Sequence, residues 1–149
     1  MRFLVAMDGS DAAENALTYA AEIGTAMDGS ITVVHAVNPA VYDTGGKEPI
    51  STLSDANRRL IIERIEAAED RGQQYLSRAT QLAEELGASI ETELVYGDPV
   101  EAITDFAETA NFDAIFVGHR GRSGRTDLML GSVAKQIVER ATVPVTVVR

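Results

Sequence analysis

Short, almost wholly apolar runs that stop abruptly at turn residues recur along this chain, alternating with longer stretches whose apolar residues fall at helical spacing. This alternation restricts the fold more than any other feature. A run such as RFLVAM (residues 2–7) or ITVVHAV (residues 31–37) has no polar face, so its strand must be covered on both sides, as in a parallel sheet flanked by helices. DAIFV (113–117) reads the same way, and VPVTVV, from Val143 to Val148, forms the last strand. SIETELVY (89–96) alternates polar and apolar residues, which predicts a strand nearer the sheet edge.

The intervening stretches carry helix signals. Asp11 with Glu14 three residues on resembles a capping box and predicts the start of a first helix, closed by Gly24 or Gly29. Ile61, Ile65, Ala68, Tyr75, Ala79, Leu82, Ala83 and Leu86 predict one long amphipathic helix over 55–86, loosened at Gly72 and stopped by Gly87. Gly97-Asp98-Pro99 opens a third helix with Pro99 in its first turn, and residues 132–140 form a fourth. Five strands alternating with four helices predict an α/β fold: an open parallel five-stranded sheet with helices on both faces, built as one domain over residues 1–149. The segment 38–54, rich in Pro, Gly and Thr, is long enough to be a functional lid or a disordered segment.

Composition narrows the chemistry. The absence of cysteine excludes disulfides, thiolate zinc sites and cysteine nucleophiles, and suits a reducing compartment. The opening apolar run is too short for a signal-peptide core and no later run approaches a membrane span, so the chain reads as soluble and cytoplasmic. A net charge of −10 argues against a general nucleic-acid-binding surface. Only Lys47 and Lys135 among the 13 bases are lysines, which with the acidity suggests a salty cytoplasm. The charge is unevenly spread: residues 118–149 hold six bases and two acids, residues 1–117 seven bases and 21 acids. A locally basic, glycine-rich segment in an acidic chain is what a phosphate site would look like, although such bases also occur simply as solvated charges.

In an open parallel sheet, ligands bind outside the carboxyl ends of the strands where strand order reverses. Candidate positions are therefore Asp8-Gly9-Ser10, Ala36-Val37-Asn38 and the segment after Val117. That last segment spaces its glycines as G-x2-G-x9-G-S through Gly118, Gly121, Gly131 and Ser132. Gly118 and Gly121 can let backbone N–H groups approach an anion, and Gly131 and Ser132 stand at a helix N-terminus, where free N–H groups and the helix dipole favour phosphate. The Ser132 hydroxyl can serve the phosphate or cap its own helix. Neither a Walker A loop nor a G-x-G-x-x-G fingerprint is present.

The opening FLVAMDGSDAAENAL, the VVHAV strand, the YGDP turn and the closing VGHRGRSG…LGSVAKQIVERATVPVTVV together resemble the universal stress protein family over essentially the whole chain. The glycine pattern is similar to that of the family's ATP-binding branch. The resemblance implies a Rossmann-like fold of the adenine-nucleotide alpha-hydrolase type and a nucleotide-binding homodimer in stress regulation, with ATP and Mg2+ as ligands and an unknown protein partner. It puts base and ribose against Ala6, Asp8 and the backbone of Ala36, and the phosphates against Gly118, Gly121, Gly131, Ser132 and Val133. His119, Arg120 and Arg122, inside the glycine segment, complete the candidate set, the arginines equally readable as solvated loop residues. Asp8 can accept from ribose, bind Mg2+ through water, or simply close an Asx-turn into the helix cap. His35 reads as a hydrogen-bonded core histidine, and His119 lacks an evident carboxylate partner for acid–base work.

No catalytic residue and no protein metal ligand set is assigned. A slow ATP hydrolase is an alternative, as is a nucleotide-free scaffold dimer; the adenylate-forming relatives' S-G-G-x-[DF]-S loop is not matched by Met7-Asp8-Gly9-Ser10-Asp11. The last strand would be an apolar edge in a monomer, and pairing of Val143 to Val148 with a second copy is the expected dimer contact.

Overall fold

A computed structural model describes residues 1–38, 55–121 and 129–149. Almost all of the expected loop 38–54 and Arg122 lie outside the described residues. The elements are β1 (Arg2–Ala6), α1 (Asp11–Met27), β2 (Ser30–Val37), α2 (Asp55–Glu85), β3 (Ile90–Tyr96), α3 (Pro99–Thr109), β4 (Ala114–Gly118), α4 (Ser132–Arg140) and β5 (Val145–Val148). All five strands are parallel, in the order β3-β2-β1-β4-β5. The chain winds outward from β1 to β3, then returns to lay β4 on the other side of β1, so strand order reverses between β1 and β4.

The pleat of β1 divides the core. Phe3, Val5 and Met7 face α1 and α2, where they meet Ala16, Leu17, Ala20 and Leu76. Leu4 and Ala6 face α3 and α4, against Val100, Ile103, Ala134 and Ile137. Leu4, Val5, Val33, Val34 and Ile115 are completely buried, each worth about 1.5–3 kcal/mol of apolar transfer. This two-sided cover is why the runs in β1, β2 and β4 carry no polar face. β3 at one edge exposes Glu91 and Glu93 on one face, as its alternation predicts, and Thr92 on the other as well, as an edge strand allows.

Three local expectations are corrected. The N-cap of α1 is Ser10, not Asp11: the Ser10 hydroxyl accepts from the Ala13 N–H at 3.2 Å. The helix ends on Asp28 in the left-handed region (φ 51°), with the Gly29 N–H on the Gly24 carbonyl at 2.8 Å. Gly24 itself lies inside the helix, packed against Ile31. Finally, α2 runs unbroken through Gly72, whose role is close approach: a Cβ there would come within 2.7 Å of His35 Cδ2. Glu14 of α1 and Arg78 of α2 pair at 3.1 Å, and that hydrogen bond raises the guanidinium pKa.

Candidate functional site

The turns that leave β1 and β4 diverge at the strand-order reversal and open a cavity of about 350 Å³. Its floor is Ala6, Met7 and Asp8 from the end of β1, with Val117 and Gly118 from the end of β4; Ala36 of β2 and Arg120 and Gly121 border it. Gly131, Ser132, Val133 and Ala134, at the start of α4, close one side, and Pro99 and Ile103 of α3 form an apolar wall.

Asp8 is held by its own turn. Its Oδ1 accepts from the Ser10 N–H at 2.9 Å and from the Ser10 hydroxyl at 2.5 Å, so the Asx-turn of the sequence reading is formed. Gly9 supplies the left-handed backbone that this turn needs (φ 78°). The other carboxylate oxygen, Oδ2, faces Gly121, where an added Cβ would stand 2.8 Å from it.

The glycines of the G-x2-G-x9-G-S segment have three different jobs. Gly118 packs β4 onto the first turn of α1: a Cβ would sit 2.7 Å from the Ala12 carbonyl carbon and 2.8 Å from the Ala13 nitrogen. Gly131 seats α4 against the end of β4, with its N–H donating to the His119 carbonyl at 2.7 Å. Its amide is therefore engaged within the protein rather than turned to a ligand. Gly121 keeps the mouth of the cavity clear beside Asp8.

The anion-binding capacity lies in α4. Its N-cap is Gly131, which has no side chain to satisfy the first turn, and the first amide with an acceptor in the helix is that of Lys135, on the Gly131 carbonyl. The N–H groups of Ser132, Val133 and Ala134 are thus the ones that a helix leaves without internal partners, and all three residues line the cavity. No acidic residue occupies that first turn, so the positive end of the helix dipole is uncompensated there.

Of the expected site residues, Ala6, Asp8, Ala36, Gly118, Arg120, Gly121, Gly131, Ser132 and Val133 border one cavity. His119 does not; it borders a shallower, more open neighbouring recess with Asp11, Asn15 and Arg149. Its backbone explains this: the His119 N–H bonds to the Val148 carbonyl and its carbonyl takes the Gly131 amide, so the main chain is fixed as a joint between β5 and α4. Sequence reasoning missed His35, which it read as a core histidine and which is half-buried and borders the cavity, and also Pro99 and Ile103, because an apolar α3 residue gives the same pattern whether it meets core or cavity. Among the described residues, no cluster of three or more His, Cys, Asp or Glu side chains could hold a metal ion, and no helix is long and apolar enough to cross a membrane.

Residues 1–149 match the model of the universal stress protein family. The universal stress protein YxiE of Bacillus subtilis is 31% identical over 148 residues, spanning 99% of this chain and 98% of YxiE. Among solved structures, the universal stress protein UspA from Lactobacillus plantarum is 25% identical with a TM-score of 0.82, covering 100% of this chain and 97% of that one. The universal stress protein from Archaeoglobus fulgidus in complex with dAMP is 27% identical with a TM-score of 0.71, covering 100% and 98%. A parallel sheet of this order, with its cavity at the reversal and similarity running the length of the chain, leads to one conclusion: this chain belongs to the universal stress protein family.

Proposed function

We propose that this protein binds an adenine nucleotide, ATP with Mg2+, in the cavity between β1 and β4, and that it acts in the cytoplasm as a nucleotide-dependent stress-response regulator. The observation that carries this reading is the first turn of α4, which has no side-chain cap and whose residues Ser132, Val133 and Ala134 line a cavity that Pro99 and Ile103 also line with apolar surface. One side suits phosphate and the other suits a base. The dAMP held by the related Archaeoglobus fulgidus structure supports an adenine nucleotide as the ligand class.

Among the described residues Asp8 offers the one carboxylate at the cavity floor, so Mg2+ would take most of its ligands from phosphate oxygens and water, the usual habit of that ion. Among the described residues the outer edge of β5 has no neighbouring strand, and a second copy pairing there forms the homodimer of the reading. A signal to a protein partner then requires only that the occupied and empty conformations differ in affinity for it.

Calorimetric titration of nucleotide-stripped protein with AMP and with Mg-ATP, in high KCl, tests this. Saturable binding near one nucleotide per chain is expected, with about 2.7 kcal/mol of added stability at 100 times the dissociation constant. Gly121→Val, which drives a side chain onto Asp8 Oδ2, is expected to abolish binding while the exposed position leaves the fold intact. Absence of saturable binding by the parent protein refutes the reading.

A further inference from the structure

The turn that carries Asp8 is tied to α2 by two aromatic rings, that of His35, which also borders the cavity, and that of Tyr75, which does not line it. His35, near the end of β2, donates its Nδ1–H to the Met7 carbonyl at 2.7 Å, one residue before Asp8. Its ring packs edge-on against Tyr75 of α2, with centroids 5.2 Å apart and planes at 68°. Tyr75 in turn lies over Gly9, where a Cβ would overlap its ring. Gly72, one helical turn before Tyr75, lets the α2 backbone reach the imidazole; a methyl there would stand 2.7 Å from His35 Cδ2 and 3.0 Å from Leu94 Cδ2. Glycines at positions 9 and 72 thus flank a continuous packed path from α2 to the cavity floor.

The helix on this path is unevenly packed. Gly72, Leu76, Ala79 and Ala83 are buried, whereas none of residues 59–71 is. Those 13 residues amount to about 20 Å of helix. Because α2 follows β2, its first half lies at the carboxyl end of the sheet, the same end as the cavity.

We propose that His35 and Tyr75 are positioning residues of the nucleotide site: they fasten the Asp8 turn to α2, so that affinity is set in part from α2 and nucleotide occupancy is felt along residues 59–71, none of which is fully buried. This rests on the nucleotide-binding reading above. Any shift of the Met7 carbonyl or of Gly9 moves Asp8, and with it the oxygen that faces Gly121. A ligand seated on the floor stabilises one position of the turn, and the two rings pass that preference to Gly72 and Tyr75.

The test compares His35→Leu, which removes the donor, with His35→Asn, whose side-chain amide presents an N–H near the Nδ1 position, and with Gly72→Ala, which presses the ring from a residue outside the cavity. His35→Leu and Gly72→Ala are expected to weaken AMP binding about tenfold, and His35→Asn to stay within about threefold of the parent. AMP is expected to slow hydrogen exchange at residues 59–71 in the parent and in His35→Asn but not in His35→Leu. A merely structural role would lower the melting temperature and leave affinity, measured well below it, unchanged. His35→Asn guards against a folding failure of His35→Leu, and a melting curve of each variant shows that it is folded at the temperature of the titration, Gly72→Ala included, whose methyl meets His35 and Leu94. Parental affinity in both His35→Leu and Gly72→Ala overturns this inference alone, as does unchanged exchange at 59–71 on AMP binding. Failure of the parent to bind any adenine nucleotide removes the proposed function, and this inference with it.

Discussion

Replacing Ser132 by proline removes one backbone N–H from the start of α4 and leaves almost everything else in place. Ser132 is the first helical residue and is exposed, so no core contact is lost. A proline at this position is tolerated because its missing N–H has no acceptor within the helix. The preceding residue, Gly131, already has φ −63° and ψ 153°, the extended conformation that a following proline demands. Stability should therefore hold or rise, by about 0.4–1 kcal/mol, as the unfolded chain loses freedom. Binding should fall. A hydrogen bond from an amide to a charged phosphate oxygen is worth about 1.5–3 kcal/mol, which corresponds to a loss of about 10- to 150-fold in affinity. Ser132→Ala, which keeps the N–H and deletes only the hydroxyl, separates the two donors. Calorimetry with adenosine, AMP and Mg-ATP supplies the assay. Adenosine affinity should be the same in all three proteins, while the phosphate-bearing ligands should weaken most in Ser132→Pro. Equal AMP affinity in Ser132→Pro and the parent would refute the seating of phosphate on α4, and with it the physical basis of the proposed function.

Other expectations follow from the same structure. Gly118→Ala places a methyl against the backbone of Ala12 and Ala13, neither of which can swing aside, and should lower stability by about 1–3 kcal/mol; an unchanged urea midpoint would show that the β4–α1 contact is looser than described. Light scattering at micromolar concentration should give twice the 16.0 kDa chain mass if β5 pairs with a second copy, and a monomer mass would dispose of that contact. The excess of acids over bases should make the melting temperature higher in molar KCl than in dilute buffer, through screening of like charges; equal melts would sink the reading of a salt-adapted chain.

The strands were legible because burial on both faces leaves a mark in one short window of sequence: FLVA and AIFV hold no polar residue and TVVHAV only Thr32 and His35, since each has a packed layer above and below. Their ends were less so. β5 begins at Val145 rather than Val143 because Pro144 has no N–H to donate, and its carbonyl alone reaches Ile115. What the sequence could not supply was the partner of each special residue. Gly72 reads as a weak point in a helix until His35, remote in sequence, is seen beneath it. The glycine motif located the cavity but not the division of labour within it. Gly118 answers to α1, Gly131 to His119, and only Gly121 borders Asp8 directly, because each contact is made by a different element brought there by the sheet. Asp8 shows the same limit from the other side. Its two readings, turn former and ligand contact, were indistinguishable in the chain, yet the fold gives one oxygen to each direction: Oδ1 to Ser10, Oδ2 toward Gly121. A carboxylate that builds its turn with one oxygen is held fixed for whatever meets the other, so the structural reading of Asp8 is what makes the functional one possible.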